Sequence, residues 1–302
     1  MSLNSIPAPA SCRFDVVSAA ALATTVLGWA SAFAVIRVGL TAFGPLELGS
    51  LRFAIAALPC VLLLLVLRPP VPTLREFVRI ALRAFVCVST YTVLLNIAER
   101  TLSSGPASFI VNVAPILTAI WAMILLGERF GPVAWTGTAL SFIGVGLVAI
   151  SEDSGLSLNV GALFAIAAAF CTSVDAVIQK PLFARHRALV VSAWSMILSA
   201  LFLAPGLPHA IAEFAEADME ARLAVIYLGI VPSFIAYGAW SVTVSRFPAS
   251  RAANFLYCIP PTATLMGFLW LGEVPHWLGI IGGVMALAGV AVVNLRGWLG
   301  RA

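Results

Sequence analysis

The chain has 302 residues, 61% of them apolar and 10% charged, with a mean hydropathy of +1.04 and a net charge of +4. Soluble domains run at roughly 45 to 50% apolar and about 25% charged, so there is too little polar surface here to clothe a globule in water. What is left is an all-α polytopic membrane protein, and the basic balance reflects topology; no nucleic-acid partner is expected.

Residues 1 to 15 are polar, and their Ala8-Pro9-Ala10 precedes the first apolar run, the reverse of the order in a cleavable signal peptide. A bilayer core of about 30 Å needs about 20 helical residues to cross it. Apolar runs set against charged or Pro/Gly breaks predict ten spans, near 16 to 36, 46 to 67, 77 to 98, 105 to 126, 132 to 150, 159 to 180, 188 to 206, 221 to 244, 250 to 271 and 276 to 295. An even number puts both termini on one side. If that side is the cytoplasm, its segments hold thirteen basic residues, Arg83 among them, against Arg37, Arg100 and Arg222 outside. The expected placement is a bacterial inner membrane with both termini cytoplasmic. Five cysteines, Cys12, Cys60, Cys87, Cys171 and Cys258, are scattered without CxxC spacing and read as small apolar packing residues.

The stretch 105 to 150 has a second copy near the end of the chain. A gapless shift of 145 positions sets Pro115 on Pro260, Gly127-Glu128 on Gly272-Glu273, Gly137 on Gly282 and Gly144 on Gly289. Each copy belongs to a unit of five spans, an odd number, so the second unit enters the membrane from the opposite side and the repeat is inverted. The predicted organisation is a cytoplasmic segment 1–15, a first repeat 16–150, an external linker 151–158, a second repeat 159–295 and a tail 296–302. Inverted repeats are the architecture of secondary transporters, with the site near the midplane where the halves meet.

GWASAFAVIR at 28 to 37, LRFAIAAL at 51 to 58 and the duplicated blocks APILTAI...LLGERF and IPPTATL...LWLGEVP resemble the drug/metabolite transporter superfamily, in its EamA-type ten-helix exporters. The resemblance covers essentially the whole chain. It implies the 5+5 inverted topology, a central cavity lined by spans 1, 3, 4, 6, 8 and 9, and export of amino acids or related metabolites. The aromatic amino-acid exporters are the nearest kind. Where the family often has a Trp near the start of span 6, this chain has Ala168-Ala169-Phe170.

Polar groups inside lipid cost several kcal/mol if unpaired, so each needs a partner, a cavity or a pathway. Asp175 and Gln179 share a face of span 6; Asp175 reads as a proton-coupling carboxylate, as polarity in a wet cavity, or as one side of an ion pair with Lys180 or Arg37. Asn112 and Asn254 precede Pro115 and Pro260, two expected hinges where a missing N–H frees a carbonyl a turn earlier. Either asparagine could meet substrate or bond a neighbouring helix. Trp29 and Phe33 on span 1, Tyr91, Tyr237 and Tyr257 complete the candidate substrate contacts, against plain packing as the alternative. Glu47, Arg52, Glu128 and Glu273 stand at span borders and read as caps or gate-side pairs. Gly137, Gly144, Gly282 and Gly289, with Gly279 and Gly283 in GxxxG spacing, make spans 5 and 10 a scaffold, or the face of a weak dimer of an otherwise monomeric chain.

No HExxH, GxSxG, Walker loop or dinucleotide fingerprint is present, so no enzyme, metal or cofactor is expected. The expected function is gradient- or exchange-driven export of amino acids or related metabolites, aromatic or bulky apolar ones favoured, by alternating access. A broader drug or metabolite carrier of the same fold is the alternative; a membrane receptor or scaffold without transport is the alternative of another class.

Overall fold

The computed structural model describes residues 15–114, 116–117, 120–121, 132–151, 160–247 and 255–299. Among the described residues the chain is helical throughout, with no strand. The helices are α1 (Val16–Gly39), α2 (Pro45–Leu67), α3 (Leu74–Ala98), α4 (Ser104–Val111), α5 (Pro132–Ser151), α6 (Val160–Ala184), α7 (Ala188–Glu216), α8 (Met219–Arg246), α9 (Leu256–Leu271) and α10 (Trp277–Leu299). Six of them, α1, α2, α3, α6, α7 and α8, are long and apolar enough to cross a membrane. Helices suit lipid because every backbone bond closes within the segment. This is an all-helical polytopic membrane protein.

The helix ends follow from local chemistry. The Asp15 side chain accepts from the backbone N–H of Ser18 at 2.8 Å and caps α1. Pro45 opens α2 at the position where a missing N–H costs nothing. Thr73 and Glu76 cap each other's backbone at the start of α3.

Packing pairs helices across the two halves. α5 lies along α10 and α2 along α7, while α1 packs mainly on α8 and α9, and α6 packs on α3 and α4. At the α5–α10 contact, a Cβ on Gly144 would overlap the backbone of Gly282 and Ala286, and one on Gly289 would overlap Gly137 and Ser141. Adding 145 to 144, 137 and 141 gives 289, 282 and 286, so one contact occurs twice, as a twofold relation demands. The hydroxyl of Ser141 donates to the carbonyl of its own counterpart, Ala286, at 2.9 Å. The glycine faces of α5 and α10 therefore meet each other within one chain, and Gly283 is held against the ring of Phe109.

Two helices are locally widened. α3 is π-helical over Arg83–Thr90 and α8 over Gly229–Ala236, segments of equal length 146 positions apart. Such i→i+5 segments are rare and cluster at functional sites. In α8 the cause is visible: Pro232 has no N–H to give, and Ser233 donates its hydroxyl to the carbonyl of Leu228 at 2.8 Å. In α3 the carbonyl of Ala84 is met instead by Ser199 of α7, at 3.2 Å.

Candidate functional site

A cavity of about 920 Å³, its open mouth included, lies between the halves. The spacing of Trp29, Ala32, Phe33 and Ile36 turns one face of α1 into its wall. α3 contributes Cys87, Tyr91 and Leu95, again one face, and α4 contributes Val111 and Asn112. Thr172 and Asp175 come from α6, Tyr237 and Trp240 from α8, and Leu256 and Ile259 from α9. Arg52 of α2 completes the wall.

Six of the residues singled out in the sequence, Trp29, Phe33, Tyr91, Asn112, Asp175 and Tyr237, therefore face one space. Tyr257 does not: it lines a smaller crevice with Phe109 and Pro260, which Asn112 also reaches. Asn254 and Pro115 lie outside the described residues, as does Glu128. α4 ends at Val111, and the side-chain amide of Asn112 donates to the carbonyl of Ser108 at 2.9 Å. Pro260 sits in the first turn of the α-helical stretch Ile259–Leu271, after a tighter turn over Leu256–Cys258.

Trp29 organises the aromatic wall. Its ring meets Tyr237 edge-on at 5.1 Å and Trp240 at 5.5 Å, and its indole N–H donates to the carbonyl of Pro232 at 3.3 Å. Trp240 in turn donates to Oδ2 of Asp175 at 3.2 Å.

Asp175 is bound by three donors. Nε of Arg83 stands 2.7 Å from its Oδ1, and Oδ2 accepts from both Trp240 and Gln179. The partner is neither Lys180 nor Arg37, the two that the sequence suggested. Arg83 is no loop arginine either: it lies within α3, fully buried, so it drops out of the basic residues that report orientation. Its two terminal nitrogens have no hydrogen-bond partner among the described residues.

Arg52, read in the sequence as a cap or gate-side pair near the start of its span, lies on the cavity wall. It stands two turns inside α2 and is 3% exposed. Its Nε donates to the hydroxyl of Ser233, in the π-helical part of α8, at 2.6 Å. Among the described residues no carboxylate lies within ion-pair distance of it.

Each end of α1 is tied to the second half. At the end nearer the termini, Arg246 of α8 binds Asp15 at 2.8 Å. Hydrogen bonds from Ser18, then Arg246, hold the Asp15 carboxyl at about 2, below the usual carboxylate range. At the far end, Nε of Arg37 stands 2.7 Å from Glu273, which follows α9. Glu273 also accepts from the backbone N–H of Ser104 at 3.0 Å. Arg37 uses a terminal nitrogen on the carbonyls of Glu99 and Leu102. The border position of Glu273 is thus a pairing across the halves.

Comparison with known proteins places this geometry. The EamA-like transporter family model matches residues 17–150 and 159–295. A probable terminal-alkyne amino-acid exporter of Streptantibioticus cattleyicolor is 35% identical over 281 residues, which cover 93% of this chain and 94% of that protein. A probable amino-acid metabolite efflux pump of Salmonella typhimurium is 25% identical, over 90% of this chain and 93% of its own. An uncharacterized inner membrane transporter of Escherichia coli (strain K12) is 26% identical, over 90% and 88%. One solved crystal structure aligns with a TM-score of 0.65 and 21% identity over 94% of this chain and 98% of that one, a likeness of fold alone.

Proposed function

Because the chain belongs to the EamA-like transporter family, we propose that it is a secondary transporter that exports amino acids or related small metabolites, aromatic or bulky apolar ones favoured, by alternating access. The membrane is a bacterial inner membrane, with both termini in the cytoplasm. The relatives named as amino-acid exporters and efflux pumps support the substrate class.

The observation that carries the reading is Arg52. It is buried on the wall of a cavity faced by Trp29, Phe33, Tyr91 and Tyr237, and no carboxylate of the described residues lies within ion-pair distance of it. A buried unpaired charge is costly, and a carboxylate brought by the substrate removes that cost through a charge-assisted hydrogen bond. The substrate side chain then lies on the aromatic rings, whose large apolar faces and polar tips suit a bulky amino acid. Its amino group falls among the tyrosine hydroxyls and the amide of Asn112. A phosphate ester would call for a second free cation at this depth, and Arg83 is occupied by Asp175.

Alternating access follows from how the halves are tied. The Asp15–Arg246 and Arg37–Glu273 pairs join the halves at opposite ends of α1, about 36 Å apart for its 24 residues. Breaking one while keeping the other opens the cavity to one side at a time.

Counterflow of labelled phenylalanine, tryptophan and threonine in proteoliposomes tests the reading. Phenylalanine and tryptophan are expected to exchange, and threonine more slowly. No exchange of any amino acid would remove it.

A further inference from the structure

Glu99 ends the row Tyr91, Leu95, Glu99 on one face of α3, one turn beyond the last of these that lines the cavity. It is 2% exposed, and among the described residues both oxygens of its carboxyl group are buried without a hydrogen-bond partner. Its backbone carbonyl accepts from Arg37, which also holds Glu273. The charges that face Glu99 are Arg37 from α1, Glu273 from beyond α9 and Arg52 from α2. Arg37 does not serve the carboxyl: its Nε is on Glu273, and its terminal nitrogen is on the backbone carbonyls of Glu99 and Leu102.

A carboxylate in such a place would be an ion with no donor on either oxygen, beside a second carboxylate that already holds the nearest arginine. A carboxylic acid meets neither objection. Glu99 follows the last residue of the span, and burial pushes it well above the usual carboxylate range, with Glu273 adding to the rise and Arg37 and Arg52 opposing it. Asp175 differs, because three donors meet its two oxygens.

We propose that Glu99 is a proton-binding site of the transporter, whose protonation is required for the halves to close at the Arg37–Glu273 end. This rests on the transport reading only for its consequence, a flux that responds to pH on that side. When the Arg37–Glu273 contact opens, water and the released guanidinium reach Glu99, and its proton passes to water on that side. The proton must return before the halves can close again. Closure at this end and proton uptake from it are one event.

The experiment uses full-length protein in liposomes with Leu102→Cys, a buried position whose carbonyl Arg37 holds, and a membrane-impermeant maleimide on the far side. The parent protein without the new cysteine sets the background. Because only the thiolate reacts, labelling is divided at each pH by that of an exposed cysteine on the same side. This ratio is expected to fall as far-side pH is lowered, by up to roughly tenfold per pH unit, the factor by which the ionised-to-protonated ratio of Glu99 changes. With Glu99→Gln added, labelling is expected to be low and independent of pH. Glu99→Asp, which keeps an acid, is expected to restore the response at a displaced pH, and it covers a failure of the glutamine variant to fold. A flat profile with Glu99 in place, or a pH response that survives in the glutamine variant, overturns the proposal. Phenylalanine counterflow is followed in the same vesicles. If labelling behaves as expected and counterflow is absent, the proton site stands and the amino-acid reading falls.

Discussion

Tyr91 and Tyr237 occupy matching places in the two halves: each is the first residue after an eight-residue π-helical segment, and both face the same cavity. The widened turns re-aim whatever follows them, and here both aim a phenol at the space between the halves. The match is not complete. Tyr237 packs edge-on against Trp29, whereas Tyr91 packs on the large apolar core that draws on helices of both halves. Two equivalent positions thus build one asymmetric pocket.

If these rings hold the substrate side chain, Tyr91→Ala and Tyr237→Ala should each weaken phenylalanine affinity about three- to tenfold, since an aromatic contact is worth about 0.5 to 1.5 kcal/mol beyond burial. Threonine, with little surface to lose, should be affected less. Competition against phenylalanine counterflow reads both. Equal losses for both amino acids would point to collapse of the cavity.

The Arg83–Asp175 pair joins α3 to α6, one helix from each half, with Arg83 fully buried and Asp175 at the edge of the cavity. Removing one partner of a buried pair costs about 3 to 5 kcal/mol, because an uncompensated charge is left behind. Arg83→Met and Asp175→Asn should each lower the unfolding midpoint in detergent. The double variant should be more stable than the sum of the two losses by about 1 to 3 kcal/mol. Additive losses would mean that the ion pair does not couple the halves.

Much of the fold was legible because lipid leaves few choices. Ten apolar runs and a Pro, Gly-Glu and paired-Gly pattern repeated at one offset were enough to predict ten helices in two units, and α5 and α10 meet through the repeated glycines. Trp29 and Phe33 were legible from their spacing on one helical face, and Tyr91, Asp175 and Tyr237 from the cost of a polar group at membrane depth. What escaped was the burial and the partners of single charged residues. Arg52 reads as a cap or gate-side pair, although its span was placed correctly to within a residue; its contact with Ser233 of α8 was not legible. Arg83 was counted with the basic residues of one side, yet it is fully buried within α3, and nothing in the sequence marked Glu99, which falls just past the end of its predicted span. The π-helical segments are unreadable in runs that are apolar on every side. They also put the Tyr91–Tyr237 match at an offset of 146, one residue out of the register that revealed the repeat.

In the proposed reading the cavity recognises a carboxylate through Arg52 and an apolar body through its aromatic wall. The direct measurement is inhibition of phenylalanine counterflow by 3-phenylpropionate, which keeps the carboxylate, and by phenethylamine, which lacks it, in the native protein and in Arg52→Gln. A charge-assisted hydrogen bond contributes about 1.5 to 3 kcal/mol, or roughly ten- to a hundredfold in affinity. Phenylpropionate should therefore inhibit the native protein more strongly than phenethylamine does, and Arg52→Gln should abolish that difference while leaving phenethylamine inhibition unchanged. Equal inhibition of the native protein by both compounds, or a preference that survives in Arg52→Gln, would contradict the account.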